Sequence, residues 1–407
     1  MIPRVRPSYH PSDLWAALRA AQDDVRLFEH ELAAYFKVHH AITFPYGRSA
    51  IYACLKALEP EGREVVQPAY NCVVVAHATV MAGYQPVFVD AQPQNPDQDP
   101  DEMIARVNQH TGMVIPTSIF GYAFDAVSVY EAIRRRNPRA LILMDCAQCF
   151  DASWNGDVLA VQGDAAILAF GIGKPMTTLF GGALLTNRED LAKAVRSYRD
   201  THFQKPSKGI WMRQWFYFLA SWIALSRALV KSLDWLENAQ TPLRNYLVKL
   251  RSREAIRFPG DAQTQMTTIQ GAIGRSQLRR VANFIRRRQE IGKLYNQELS
   301  STFGLDILKW PPGSSYGIYA LRLHHPDLRP KVLSKLRKAG IQADNVLNYV
   351  VPALACYQEL GFTPDAYPNA TAWSQRVINL PNHPAMTSKQ TTFVIHTLRS
   401  IMGEIST

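Results

Sequence analysis

Between residues 41 and 186 the chain alternates short apolar, β-prone runs with longer stretches whose apolar positions recur every three or four residues. That alternation predicts a mainly parallel sheet covered by helices. The predicted strands are 41–44, 64–67, 86–89, 113–115, 141–144, 165–169 and 183–186, and the predicted helices between them include 49–58, 73–82, 101–108 and 126–135. Residues 188–260 read as helical and 267–299 as one long helix. Beyond residue 315 a new pattern begins: a strand at 316–323 (YGIYALRL), a helix near 329–339 and an amphipathic helix at 387–402. The predicted organisation is a large α/β domain over 1–255, with an apolar helical insertion at about 209–237. A long connecting helix and a small C-terminal α+β domain follow over 256–407. The proline-rich stretch 92–100 (QPQNPDQDP) reads as a surface loop.

The insertion changes the picture of a wholly buried apolar content. It contains the tryptophan-rich stretch from Trp211 to Leu225 (WMRQWFYFLASWIAL), whose uncharged run of 13 residues, 214–226, is shorter than the roughly 18 to 20 that span a bilayer. Arg213, Arg227 and Lys231 flank it, so it reads either as a helix lying in a membrane interface or as a buried helix at a domain or subunit contact. The buried reading is preferred, because short apolar runs are more often core.

With 407 residues, 47% hydrophobic and 19% charged, the chain can bury a large core and is not a disordered segment. Its net charge of +11 favours anionic partners such as nucleotide diphosphates, phosphorylated cofactors, nucleic acid or an acidic membrane. The basic residues are dispersed, the clusters at 134–136 and 286–288 read as solvated helix faces, and no basic tail tracks nucleic acid. Five cysteines fit a reducing cytosol, and the opening MIPRVRPSYH lacks the apolar core of a signal peptide, so a cytoplasmic location is expected. Cys146 and Cys149 form a C-x-x-C that invites a redox reading. No metal site is read from the sequence.

In an open α/β sheet ligands gather beyond the carboxyl ends of the strands. There Asp145 ends one predicted strand, and 29 residues later Lys174 closes Phe170-Gly171-Ile172-Gly173-Lys174 after another. A carboxylate and a lysine so placed are what pyridoxal phosphate requires: the lysine forms the Schiff base, and the carboxylate pairs with the pyridinium nitrogen. Alone, the Asp is as readily a helix cap and the Lys a turn residue. A P-loop is excluded, because Leu168 and Pro175 occupy the places of its first glycine and its Ser/Thr. Upstream, Tyr46-Gly47-Arg48-Ser49-Ala50 joins a strand to a helix. That helix N-terminus, the Ser49 hydroxyl and the Arg48 guanidinium make a candidate phosphate site, with Ser49 equally able to serve as N-cap.

The segments GRSAIYACLKAL, REVVQPAYNCVVVAHATVMAGYQPVFVDA, MDCAQCFDASWNG, GDAAILAFGIGK, FGGALLTN, TTIQGAIGRSQL and INLPNHPAMTSKQ resemble, in order, the landmarks of the DegT/DnrJ/EryC1/StrS aminotransferases. The resemblance implies a fold type I transferase, with a mainly parallel seven-stranded sheet flanked by helices and a smaller C-terminal α+β domain. It further implies pyridoxal 5'-phosphate as cofactor, L-glutamate as donor, a keto sugar nucleotide as acceptor, and a homodimer with shared active sites. Lys174 is then the Schiff-base lysine, Asp145 the partner of the ring nitrogen, and Gln148 a neighbour of the ring and its phenolic oxygen. Ser49, with the neighbouring amides of Arg48 and Ala50, belongs at the phosphate, and the C-x-x-C becomes incidental to the motif.

Departures from the family pattern mark where this chain differs. Arg48 stands where a threonine is usual, and Ala169 replaces a serine five residues before the lysine. Cys72 takes the place of the ring that stacks on the cofactor, with Tyr70 as a substitute. Gln263-Thr264-Gln265-Met266 replaces Asn-x-Arg-Met, altering a contact made from the partner subunit, and near Asp344 and Asn345 the usual basic and histidine residues are missing. Lys174 argues against the related sugar dehydratases, which carry histidine there. The expectation is therefore a transaminase for surface polysaccharide or a glycosylated metabolite. The alternatives are a non-sugar, lipid-linked acceptor or a non-catalytic family member.

Overall fold

A computed structural model describes residues 1–224 and 255–406. Its strands are β1 (His40–Phe44), β2 (Glu64–Pro68), β3 (Gln85–Val89), β4 (Thr111–Val114), β5 (Leu141–Asp145), β6 (Ser153–Trp154), β7 (Asp157–Val158), β8 (Ala165–Ala169), β9 (Gly182–Thr186), β10 (Leu305–Ile307), β11 (Tyr319–Leu323) and β12 (Val377–Leu380). Seven of them form the central sheet in the order β1-β9-β8-β5-β4-β2-β3. The steps from β8 through β5, β4 and β2 to β3 are parallel, and β9 runs antiparallel to both its neighbours. This is the α/β architecture expected, with all seven predicted strands in it.

The strands are near-continuous apolar runs because helices cover both faces. Side chains of β5 alternate between the two resulting cores: Ile142 and Met144 pack with Phe28, Met103 and Ile133 on one face, Leu143 with Ile51, Leu55 and Val75 on the other. The crossover helices Gly47–Leu58, Val73–Met81, Pro100–Arg106 and Ala126–Arg136 lie close to the predicted ones. The second sheet, β10-β11-β12, is antiparallel, and it buries Tyr295, Leu321, Leu336, Ile378 and Leu398 against the helices Val281–Leu299, Leu328–Lys338 and Ser388–Ser406.

Three expectations change. The single helix over 267–299 is two, Thr268–Leu278 and Val281–Leu299. The break falls at Arg279 and Arg280, between the two helices, and the Arg280 guanidinium pairs with the fully buried Asp13. The loop 92–100 is not wholly superficial, since Asp97 and Gln98 are buried. Their side-chain oxygens accept the N–H groups of Ile119 at 2.8 Å and Thr117 at 3.0 Å, beneath the site described below. Residues 188–260 are not uniformly helical, because 203–207 and 255–260 lie outside any helix.

The apolar insertion is described as the helix Lys208–Ala224; the rest of it, including Leu225, Arg227 and Lys231, lies outside the described residues. Trp215, Phe218 and Trp222 pack against Tyr9, Leu14, Ile269 and Ile273, whereas Met212, Phe216 and Ile223 are 66%, 67% and 60% exposed. Burial within the chain therefore holds for one face only. No described helix is long and apolar enough to cross a membrane.

Candidate active site

Beyond the carboxyl ends of β5 and β8 lies a cavity of about 360 Å³, walled by Tyr46, Gly47, Arg48, Cys72, Asp145, Gln148, Ala169, Lys174 and Phe180. An outer chamber of about 710 Å³ shares Arg48, Cys72, Gln148 and Lys174 and adds Arg4, His77, Arg257 and Tyr349. Together they have the size and mixed lining of a small-molecule site.

Asp145 is the last residue of β5 and 3% exposed. Burial raises its carboxyl above the usual carboxylate range, and the Ala147 N–H, donated to Oδ1 at 3.0 Å, together with the Lys174 ammonium, pulls it part of the way back. Lys174 stands half-buried on the turn after β8, its N–H donated to the carbonyl of Gly171 at 3.0 Å. A buried carboxylate that retains an electrostatic deficit is a socket for a cationic ring nitrogen, whose charge replaces the solvation lost on folding.

Gln148 is oriented by the protein. Its Oε1 accepts the backbone N–H of Phe120 at 3.0 Å, and since an N–H can only donate, the Gln148 NH₂ is the group left for the cavity. Phe120 makes this bond from φ +57°, a region in which non-glycine residues are strained. The Gln148 carbonyl is clasped from the other side by Gly317, where a Cβ would lie 1.9 Å from that oxygen, so only glycine fits.

Opposite, the helix Gly47–Leu58 starts at the cavity with no side-chain cap on its first turn. Its seat is Gly182 of β9, where a Cβ would meet the Gly47 nitrogen at 2.5 Å. Arg48 lines the cavity with its guanidinium 5.5 Å from the centre of the Tyr46 ring, and it has no ion-pair or hydrogen-bond partner among the described residues. Burial lowers its affinity for its proton. An uncapped helix start, a half-buried guanidinium without a partner among the described residues, a lysine and a deep carboxylate fit a ring that carries a phosphate ester at one end and a basic nitrogen at the other.

Of the residues singled out in the sequence, the structure brings Arg48, Cys72, Asp145, Gln148, Ala169 and Lys174 to this cavity. Four others stand elsewhere. Ser49 is fully buried and donates its hydroxyl to the Ala262 carbonyl at 2.7 Å, so it offers the cavity no hydroxyl; Tyr46, not Ser49, is the N-cap residue. Ala50 is buried behind it in the core. Tyr70 is buried against Phe120 and donates to the Leu347 carbonyl at 2.9 Å, so it does not substitute for a stacking ring. Gln263 is exposed, lines neither chamber, and uses its carbonyl to accept the Gln204 N–H at 2.8 Å. Cys146 and Cys149 are buried free thiols.

Sequence reasoning missed Tyr46 as a wall, Phe180, and the pair Asn71 and Thr117, which are hydrogen-bonded at 3.1 Å and line the cavity. The signal for the pair was available, as polar residues just beyond the carboxyl ends of β2 and β4. Phe180 gave none.

The profile described as the DegT/DnrJ/EryC1/StrS aminotransferase family matches residues 17–399. Among curated proteins the chain is similar to a GDP-perosamine synthase of Caulobacter vibrioides, 26% identical over 92% of this chain and 89% of that one. Among solved structures it resembles Helicobacter pylori PseC, an aminotransferase involved in the biosynthesis of pseudoaminic acid, with a TM-score of 0.78, 18% identity and 99% coverage of both chains. It also resembles the PLP-form of Spr1654 from Streptococcus pneumoniae, with a TM-score of 0.77, 22% identity and 100% coverage of both.

Proposed function

The chain belongs to the DegT/DnrJ/EryC1/StrS aminotransferase family, and on that premise we propose that it moves an amino group from L-glutamate to the carbonyl of a keto sugar nucleotide. The observation that carries this reading is the convergence of Asp145, Gln148, Lys174 and the unpaired Arg48 on one cavity. When bound, pyridoxal 5'-phosphate supplies an aldehyde that captures amines and a protonated ring that accepts the electrons of a breaking C–H bond. Asp145 would keep a proton on the ring nitrogen, and the Gln148 NH₂ would be the donor available to the ring's oxygen substituent. Lys174 would hold the cofactor's aldehyde end, and its Nζ would be the base that moves the proton at the substrate carbon. Arg48 and the helix start would hold the phosphate. The non-catalytic alternative gives way, since both groups the chemistry needs line the cavity.

The outer chamber supports the choice of acceptor. Arg4 and Arg257 line this chamber together with Lys174, cations of the kind that bind a diphosphate, and the name GDP-perosamine synthase on a relative belongs to the same substrate class. A homodimer with shared active sites is part of the same proposal, and the exposed turn at Gln263 is open to a partner. The helix Lys208–Ala224 favours a peripheral contact with an anionic, cytoplasm-facing bilayer. Met212, Phe216 and Ile223 project outward, and Lys208 stands at the start of this helix with Lys205 just before it. That face also favours a second reading, an acceptor carried on a lipid. The test is to load the enzyme with amino groups from glutamate, remove free glutamate, and supply keto sugar nucleotides or lipid-linked carbonyls. Turnover with sugar nucleotides alone is expected; turnover confined to lipid carbonyls overturns the assignment.

A further inference from the structure

Arg48 lies over the ring of Tyr46, whose hydroxyl reaches a carboxylate that Arg48 does not pair with. Asp261 has both oxygens engaged: Oδ1 accepts the Tyr46 hydroxyl at 2.8 Å, and Oδ2 pairs with Arg213. Burial and the nearby Asp261 raise the Tyr46 phenol, so it remains a donor in this bond. The phenol thus pins the ring over which the Arg48 guanidinium lies. Arg48 feels the Asp261 charge, yet lines the cavity beside Lys174.

Arg213 comes from the inserted helix Lys208–Ala224 and not from the sheet. The same helix reaches the cavity wall a second way, since the Tyr217 ring packs on Phe180 at 5.8 Å and Phe180 on Tyr46 at 5.7 Å. The insertion therefore buttresses the phosphate end of the cavity by charge and by packing.

We propose that Arg213 is a positioning residue: by satisfying the Asp261 carboxylate, it keeps Arg48 turned into the cavity to bind the cofactor's phosphate. This rests on the reading of that cavity as the cofactor's. Without Arg213, Asp261 would keep only the Tyr46 hydroxyl as a partner, and Arg48, over the same Tyr46 ring, would be drawn to it at the expense of the phosphate. Ala169, where a hydroxyl could otherwise have shared the load, makes the site depend more heavily on that one cation.

The experiment compares the affinity of apoenzyme for pyridoxal phosphate with its affinity for pyridoxal, which lacks the ester, by absorbance titration. The ratio isolates the phosphate contribution from any general damage to the fold. Arg48→Gln is expected to collapse the ratio, and Arg213→Gln to lower it by roughly tenfold, the scale of one charge-assisted hydrogen bond. Arg213→Lys should retain most of it. Adding Asp261→Asn to Arg213→Gln should restore it, because asparagine still accepts from Tyr46 but no longer attracts Arg48. If Arg213→Gln weakens both ligands equally, or Asp261→Asn fails to restore the ratio, Arg213 is merely structural and the proposal falls. If Arg48→Gln leaves the ratio unchanged, the phosphate reading of Arg48 falls first and takes this proposal with it.

Discussion

Phe120 donates its backbone N–H to Oε1 of Gln148 at 3.0 Å, from a backbone at φ +57°. The bond fixes which end of the amide faces the cavity. Replacing Gln148 by Glu keeps the acceptor for Phe120 but puts a second oxygen where the NH₂ had been. We expect Gln148→Glu to fold and bind cofactor while losing roughly 10- to 150-fold in kcat, the worth of one hydrogen bond to a charged group. A kcat within twofold of wild type in steady-state kinetics would contradict the assigned role.

Asp145 has opposite effects on stability and on chemistry. Its folded-state carboxyl is raised by burial, so the stability it contributes is present below the ordinary carboxylate range and lost as pH climbs through the raised value. Apo Asp145→Asn is therefore expected to be at least as stable as apo wild type at pH 8 in urea melts, yet to lose roughly 10²- to 10⁴-fold in activity, the cost of removing one partner of a buried charge pair. Destabilisation of the apo variant would show that Asp145 is chiefly structural.

Asp151 tests the same logic away from the site. Burial pushes its carboxyl up to about 6, although it accepts the Tyr35 hydroxyl at 3.2 Å. A raised carboxyl costs stability as pH rises from about 4 to about 6, up to about 3 kcal/mol for a shift of that size. Asp151→Asn keeps the acceptor and removes the titration. The variant should gain on wild type across that interval and hold its advantage at pH 8, as read from urea midpoints; a constant difference from pH 4 to 8 would refute the assignment.

How much of this was legible beforehand depended on whether the signal was local. The strands and the pair Asp145 and Lys174 could be read because apolar runs and strand-end residues are properties of a few consecutive positions. Ser49 was misplaced because its partner, the Ala262 carbonyl, is 213 residues away, and nothing near Ser49 records that bond. Tyr70 stands close in sequence to the cavity residue Cys72, yet it turns into the core shared with Leu347 and Trp373. The break at Arg280 depends on the buried Asp13, again a distant residue. Phe180 and Asp261 became visible only once the insertion was packed against them.

The outer face of the insertion makes its own prediction. Wild type should co-sediment with vesicles of anionic phospholipid and release them as salt rises, and Phe216→Ser with Met212→Ser should weaken that binding at least tenfold without changing the melting temperature. Equal sedimentation with neutral vesicles, or none with either, would remove the membrane contact.

The central claim, that Lys174 and Asp145 are the working pair of a pyridoxal phosphate aminotransferase fed by glutamate, is tested most directly by the absorption spectrum of the purified protein before and after glutamate is added. A visible band that glutamate discharges in wild type, and that Lys174→Ala does not form with the cofactor alone, is the predicted result. A protein that stays colourless with pyridoxal phosphate, or a band that survives unchanged in Lys174→Ala, would contradict the account.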